Sequence, residues 1–175
     1  MHPAKLALHR THLSHFTNVT TLVFVNLVTR PFHTVPLTDC FGSFARNVRR
    51  LRLYRPITRP VSLIHCVLLF PAVTDIDISD PQWATQDEDG NTPAPRSGSV
   101  RFTGTLHLRG FLGRWVKFLG FLSMQSIGFR RVRLIGCDFQ NPTIVRSLLA
   151  ATSRNVRTLH LVPLCGRESN FALFV

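Results

Sequence analysis

The chain has 175 residues, 45% of them apolar, which suits one domain with a sizeable core. No uninterrupted apolar run reaches the roughly 18 residues of a spanning helix, so no membrane association is expected. The formal charge of +12 points to anionic partners, either nucleic acid or an acidic protein surface, with a merely solvated arginine-rich face as the plain alternative.

The charge is uneven. Arginines number 19 against two lysines, and six of the nine acids lie between Asp75 and Asp89. Cys40, Cys66, Cys137 and Cys165 stand far apart, with no C-x-x-C pair, so they read as small buried residues rather than as zinc or redox ligands. The first fifteen residues carry Lys5, Arg10 and four histidines without an apolar h-region. No export signal is read there, and the expected location is cytoplasmic or nuclear.

Residues 1–15 form a His-rich segment, and residues 16–175 read as one domain. His9, His12 and His15 recur every third residue, but no cysteine or carboxylate joins them to complete a metal site. A first strand is predicted over Thr20–Val25. Thr38-Asp39 reads as a helix cap, with Phe41, Phe44 and Val48 at helical spacing behind it. A second strand covers Arg49–Tyr54. Pro60 opens a helix where its missing N–H is harmless, with Val61, Ile64, Val67 and Leu68 as the apolar stripe and Phe70-Pro71 as the stop. A third strand is Asp75–Ser79. Residues 85–99 are charged and Pro-punctuated, without apolar period, and read as a disordered acidic loop in place of a helix. A fourth strand lies near Thr105–Arg109, followed by Trp115, Phe118, Leu119 and Leu122 at helical spacing between Gly113 and Gly128. A fifth strand covers Arg131–Ile135. Asn141-Pro142 opens a helix with Ile144, Val145, Leu148 and Leu149 inward, and a sixth strand covers Arg157–Val162. Phe171 to Val175 is an apolar tail with no polar cap after it.

One phrase recurs through these strands. It is clearest in Phe129-Arg-Arg-Val-Arg-Leu-Ile-Gly-Cys137, where Phe129, Val132 and Leu134 take the first, fourth and sixth places. It returns at Val19–Phe24, Val48–Leu53, Val73–Ile78, Thr103–Leu108 and Val156–Leu161. The anchors Leu22, Leu51, Ile76, Leu106, Val132 and Leu159 are 29, 25, 30, 26 and 27 residues apart. This is the core pattern of a leucine-rich repeat, whose period is about 20–29 residues. Repeated strand–helix units imply an α/β fold: a curved solenoid of about six units, with parallel strands on the concave face and helices on the convex face. The Asn/Cys place of the repeat holds Leu27, Pro56, Pro81, Phe111, Cys137 and Leu164, so the repeats are degenerate.

Further wording carries a resemblance. Phe70-Pro-Ala-Val-Thr-Asp-Ile-Asp-Ile-Ser, Gly104-Thr-Leu-His-Leu-Arg-Gly with Trp115, Phe129–Cys137 and Asn155-Val-Arg-Thr-Leu-His-Leu resemble the F-box/leucine-rich-repeat-like proteins of mushroom-forming fungi. The resemblance covers residues 16–162. It implies a protein-interaction scaffold, the substrate-recognition repeats of a ubiquitin-ligase adaptor. In that family an N-terminal F-box docks on a Skp-type adaptor. No Leu-Pro-x-Glu opening precedes Phe16, so no residue here is assigned to that docking, and a Skp-type partner is implied only if an F-box lies upstream.

The chain contains no G-x-S-x-G, H-E-x-x-H, P-loop or strand-borne G-x-G-x-x-G, and an enzyme is not expected. No cofactor or metal is implied. Asp75 and Asp77 form a carboxylate pair, but alternation turns both outward beside Arg50 and Arg52, where ion pairing is the simpler account. His65-Cys66 cannot act as a pair, because successive helix residues face apart. The candidate protein-binding residues are the outward ones of the strand ladder: Arg50, Arg52, Tyr54, Asp75, Asp77, His107, Arg109, Arg131, Arg133 and His160. In this register Asp77 lies between Arg52 and His107. Binding of nucleic acid or another polyanion through the basic face is the alternative. Open apolar ends also predict self-association.

Overall fold

Alternation of apolar and polar residues turns each recurring phrase into a strand. The computed structural model describes residues 15–28, 41–83, 102–110, 115–125, 127–137, 142–163 and 171–173. In chain order the strands are β1 (Thr21–Val25), β2 (Arg50–Tyr54), β3 (Ile57–Thr58), β4 (Asp75–Ser79), β5 (Gln82–Trp83), β6 (Thr105–Arg109), β7 (Arg131–Cys137), β8 (Thr158–Pro163) and β9 (Phe171–Leu173). The helices are α1 (Pro60–Leu68), α2 (Val116–Ser123) and α3 (Pro142–Thr152). The architecture is α/β. One sheet runs β1-β2-β4-β6-β7-β8-β9, and its first six strands are all parallel.

Register is kept from strand to strand. Leu22, Leu51, Ile76, Leu106, Val132 and Leu159 form one inward row, and Phe24, Leu53, Ile78, Leu108, Leu134 and Leu161 the next. From Leu51 to Leu134 these side chains are fully buried, and each contributes about 1.5–3 kcal/mol of transfer free energy. The helices lie over this face. Pro60 takes the first turn of α1 behind an extended Arg59. Trp115 caps α2 and packs edge-on to Trp83, with ring centroids 5.1 Å apart. The buried face of α1 is wider than the stripe read from sequence. Ser62, Leu63 and Cys66 join Ile64 and Val67 inside, while Val61 and Leu68 are only partly covered. Flanking strands and neighbouring helices leave little of a nine-residue helix uncovered.

The turns repeat as closely as the strands. The residue after each of β1, β2, β4 and β6 has positive φ: Asn26 (53°), Arg55 (48°), Asp80 (51°) and Gly110 (124°). Its N–H donates across to the next strand, to the carbonyls of Tyr54, Ser79, Arg109 and Ile135 at 2.8–3.0 Å. At the other end, the carbonyls of Thr20, Arg49, Gly104 and Arg130 each accept two N–H groups from the following unit. Leu27 and Pro56, at the degenerate Asn/Cys place, are buried.

Several expectations need correction. Phe41, Phe44 and Val48 are buried; Phe41 is helical and residues 42–47 form turns, Gly42 and Ser43 being weak helix formers, while the expected cap at Thr38-Asp39 lies outside the described residues. In the fourth unit Thr103 is exposed, and Phe102 fills the first core place, its ring stacked 5.8 Å from Phe129. A second, two-stranded parallel ladder joins β3 to β5 and extends to Val28 by an isolated bridge. The outer edge of β8, expected to be open, carries β9 in antiparallel pairing, so backbone groups of the sixth strand are satisfied by the apolar tail. The loop expected at 85–99, the histidines before His15, Cys40, Cys165 and the side chain of Cys137 lie outside the described residues.

Cys66 is fully buried, and burial pushes its thiol from 9.0 up to about 12. A value raised in the folded state gives stability that is whole below pH 9 and lost as pH climbs toward 12. The alkaline decline of stability, measured by urea melts across that window, is therefore expected to be steeper in the native chain than in Cys66→Ala. At neutral pH a thiol reagent should label Cys66 only as the chain unfolds.

Candidate functional site

The face opposite the helices is built from the outward residue of each alternating pair. Parallel register collects these residues into rows. One row reads Thr21, Arg50, Asp75 and, from β6 onward, Thr105, Arg131, Thr158. The next reads Val23, Arg52, Asp77, His107, Arg133, His160. A third reads Val25, Tyr54, Ser79, Arg109, Ile135, Val162. Asp77 lies between Arg52 and His107, as alternation requires.

The two aspartates are differently employed. Asp77 Oδ1 sits 3.1 Å from His107 Nδ1, and Ser79 donates its hydroxyl to the same oxygen at 3.4 Å. Arg52 Nε stands 3.9 Å from the other carboxylate oxygen. Asp75 is tied to backbone. Its Oδ1 accepts the Thr105 N–H at 2.8 Å, and its Oδ2 accepts the Thr74 hydroxyl at 2.9 Å, while Arg50 Nε is 3.9 Å away. The ion-pair role expected for Asp75 is thus secondary to a structural one. Its carboxylate fastens the start of β6 to β4. Exposed pairs at such distances contribute about 0–1 kcal/mol, less than the hydrogen bonds beside them.

Seven candidate residues gather around a shallow groove of about 310 Å³. Arg50, Arg52, Asp75, Asp77, His107, Arg131 and Arg133 line it, with Thr105 and the edges of Leu51 and Ile76 as floor. Tyr54, Arg109 and His160 stand outside it. Arg109 turns to Asp80, 3.4 Å away, and Tyr54 is half-buried beside Ser79 in the third row. Four arginines against two aspartates leave the groove a formal charge of +2. Its charge is also divided: Arg50 and Arg52 face the aspartates, whereas Arg131 and Arg133 have no carboxylate within ion-pair reach among the described residues. His107 Nε2 is closed off from solvent without a hydrogen-bond partner.

Among the described residues no three His, Cys, Asp or Glu side chains converge as a metal site, and no helix is long and apolar enough to cross a membrane. No protein-family model, curated protein or solved structure matches the chain.

Sequence reading missed Gly104, Thr74 and Asp80. Gly104 leaves the space that the Asp75 carboxylate fills: a Cβ there would meet Oδ1 at 2.5 Å and Cγ at 2.7 Å. The signal was present as Thr-Asp in one unit answered by Gly-Thr in the next, but it becomes readable only once the register is known. Gly104→Ala is expected to destabilise the fold by about 1–3 kcal/mol, since the short Asp75 side chain cannot retreat without losing its bonds. Gly120, inside α2, has nothing within 4 Å of an added Cβ. Gly120→Ala should therefore stabilise by about 0.5–1 kcal/mol through helix propensity. Urea midpoints for the two variants moving in the same direction would contradict this account.

Proposed function

We propose that the open sheet face recognises another protein, and that the chain is a repeat scaffold resembling the substrate-recognition repeats of an F-box adaptor of a ubiquitin ligase. In this reading the parallel units continue as a curved solenoid with the strand face concave. The observation that carries it is the in-register face itself. It presents charges of both signs, threonine and histidine in fixed rows on one sheet. Mixed, ordered polarity suits selection of one protein surface over others. No residue of the chain is assigned to a Skp-type subunit or to catalysis.

Binding of nucleic acid is the second reading, favoured by Arg131 and Arg133, which meet no carboxylate among the described residues, and by the net charge of +12. Against it stand Asp75 and Asp77, which repel phosphates from the middle of the face, and the scarcity of outward aromatics for base stacking. The two readings part in a salt titration. Duplex DNA of arbitrary sequence should bind only weakly, lose its binding steeply with salt, and be indifferent to Arg131→Ala and Arg133→Ala. Tight duplex binding that persists at about 0.15 M salt and is abolished by those two substitutions would replace the protein-binding reading with the polyanion one.

A further inference from the structure

We infer that the groove that runs from β2 to β7 is a receptor for an extended acidic peptide segment, in which two carboxylate side chains separated by one residue engage Arg131 and Arg133. The inference rests on the protein-recognition reading and gives it a ligand chemistry.

The charge distribution comes first. Acids on the outward face stand on β4, where Asp75 and Asp77 are held by Arg50, Arg52, His107 and the backbone of β6. Neighbouring strands are about 4.8 Å apart, so the β7 arginines are some 9–10 Å from that column. The strands directly beside them present Thr105 and His107 on one side and Thr158 and His160 on the other. Arg131 and Arg133 are exposed, and no carboxylate reaches them among the described residues. A guanidinium offers a planar fork of N–H donors matched to carboxylate geometry, and here two such forks lie idle in one column.

Spacing then selects the ligand. Arg131 and Arg133 are two residues apart on one strand, so their origins are about 6.6–6.8 Å apart along it. An extended peptide repeats its side chains on one side at that same interval. Acids separated by one residue therefore present both carboxylates to the pair. Adjacent acids point to opposite sides, and only one can engage. The groove's formal charge of +2 fits two carboxylates, and the aspartates on its far wall disfavour a longer anionic run that crosses toward β4.

The test uses the full chain and two short blocked synthetic peptides of identical composition. In one, two glutamates are separated by a threonine; in the other they are adjacent. Binding is read by fluorescence anisotropy at about 0.15 M salt, with Arg131→Gln, Arg133→Gln and Arg109→Gln as variants. The alternating peptide is expected to bind about tenfold tighter than its isomer, and either groove substitution should remove most of that difference while Arg109→Gln leaves it intact. All three sites are exposed, and thermal melts of the variants, expected to be unchanged, check that they fold. Equal binding of both isomers, lost with Arg131→Gln, overturns the spacing argument but leaves a protein-binding face. Binding of neither peptide, together with arginine-dependent binding of duplex DNA, overturns the spacing argument and the protein-recognition reading with it.

Discussion

Each unit of this chain hands its backbone to the next at two fixed points. Before the strand, one carbonyl accepts two N–H groups from the following unit, save in the third unit, where the Asp75 carboxylate takes the second; after β1, β2, β4 and β6, a residue with positive φ donates to the following strand. Between these points the strand has no freedom to slip. A slip by one residue would turn every side chain to the opposite face, burying arginines and exposing leucines. The hydrophobic rows and the hydrogen-bonded turns therefore enforce the same register, and agreement between local and long-range preference makes a degenerate repeat specify one arrangement. Arg55 and Asp80 adopt positive φ without being glycine, a cost the surrounding ladder must offset.

Fixed register has an electrostatic consequence. It sets like beside like along a strand and chooses what lies across from it. On β4 the result is two aspartates flanked by arginines on one side and by a threonine and a histidine on the other. Asp75 shows how far this goes, because its carboxylate bonds to the backbone of the next unit only where Gly104 leaves room. The charged face is not a decoration on an independent scaffold. Part of it is the fastening between the third and fourth units.

What was legible in the sequence follows from where information is local. Alternation over five residues is local, so the six parallel strands, the inward rows and the place of Asp77 could be read directly. Helix α1 was legible from Pro60 and its stripe. Phe102 was not, since the motif puts Thr103 at that place and only packing against Phe129 decides otherwise. The short pairs of β3 with β5 and of β8 with β9 were missed for a related reason: two or three residues carry no period, and pairing depends on which free edge is near. Among the candidate site residues, sequence could list the outward positions but not sort them. Whether an arginine meets a carboxylate depends on side-chain direction, as Arg109 shows by turning to Asp80 rather than joining the groove.

The face is also graded from one margin to the other. At β1 the outward rows begin with Val23 and Val25, 47% and 60% exposed, and no strand among the described residues pairs with the outer edge of β1. Next come the neutralised columns of β2 and β4, and then the open arginines of β7. On the proposed reading, a partner lying across the strands meets apolar surface first, compensated charge next and, among the described residues, uncompensated positive charge last. That order has a direction, and it differs when the partner is turned end for end. Apolar contact at β1 would supply area with little orientation, whereas the carboxylates proposed for β7 would bond only in a planar geometry and only at the spacing of alternate residues. Reversal would lay apolar groups over guanidiniums that must keep water or an anion, a desolvation cost that the correct orientation avoids. On the proposed reading, this order of surfaces adds to what the Arg131–Arg133 pair selects, and the two aspartates of β4 separate the apolar end from the cationic one.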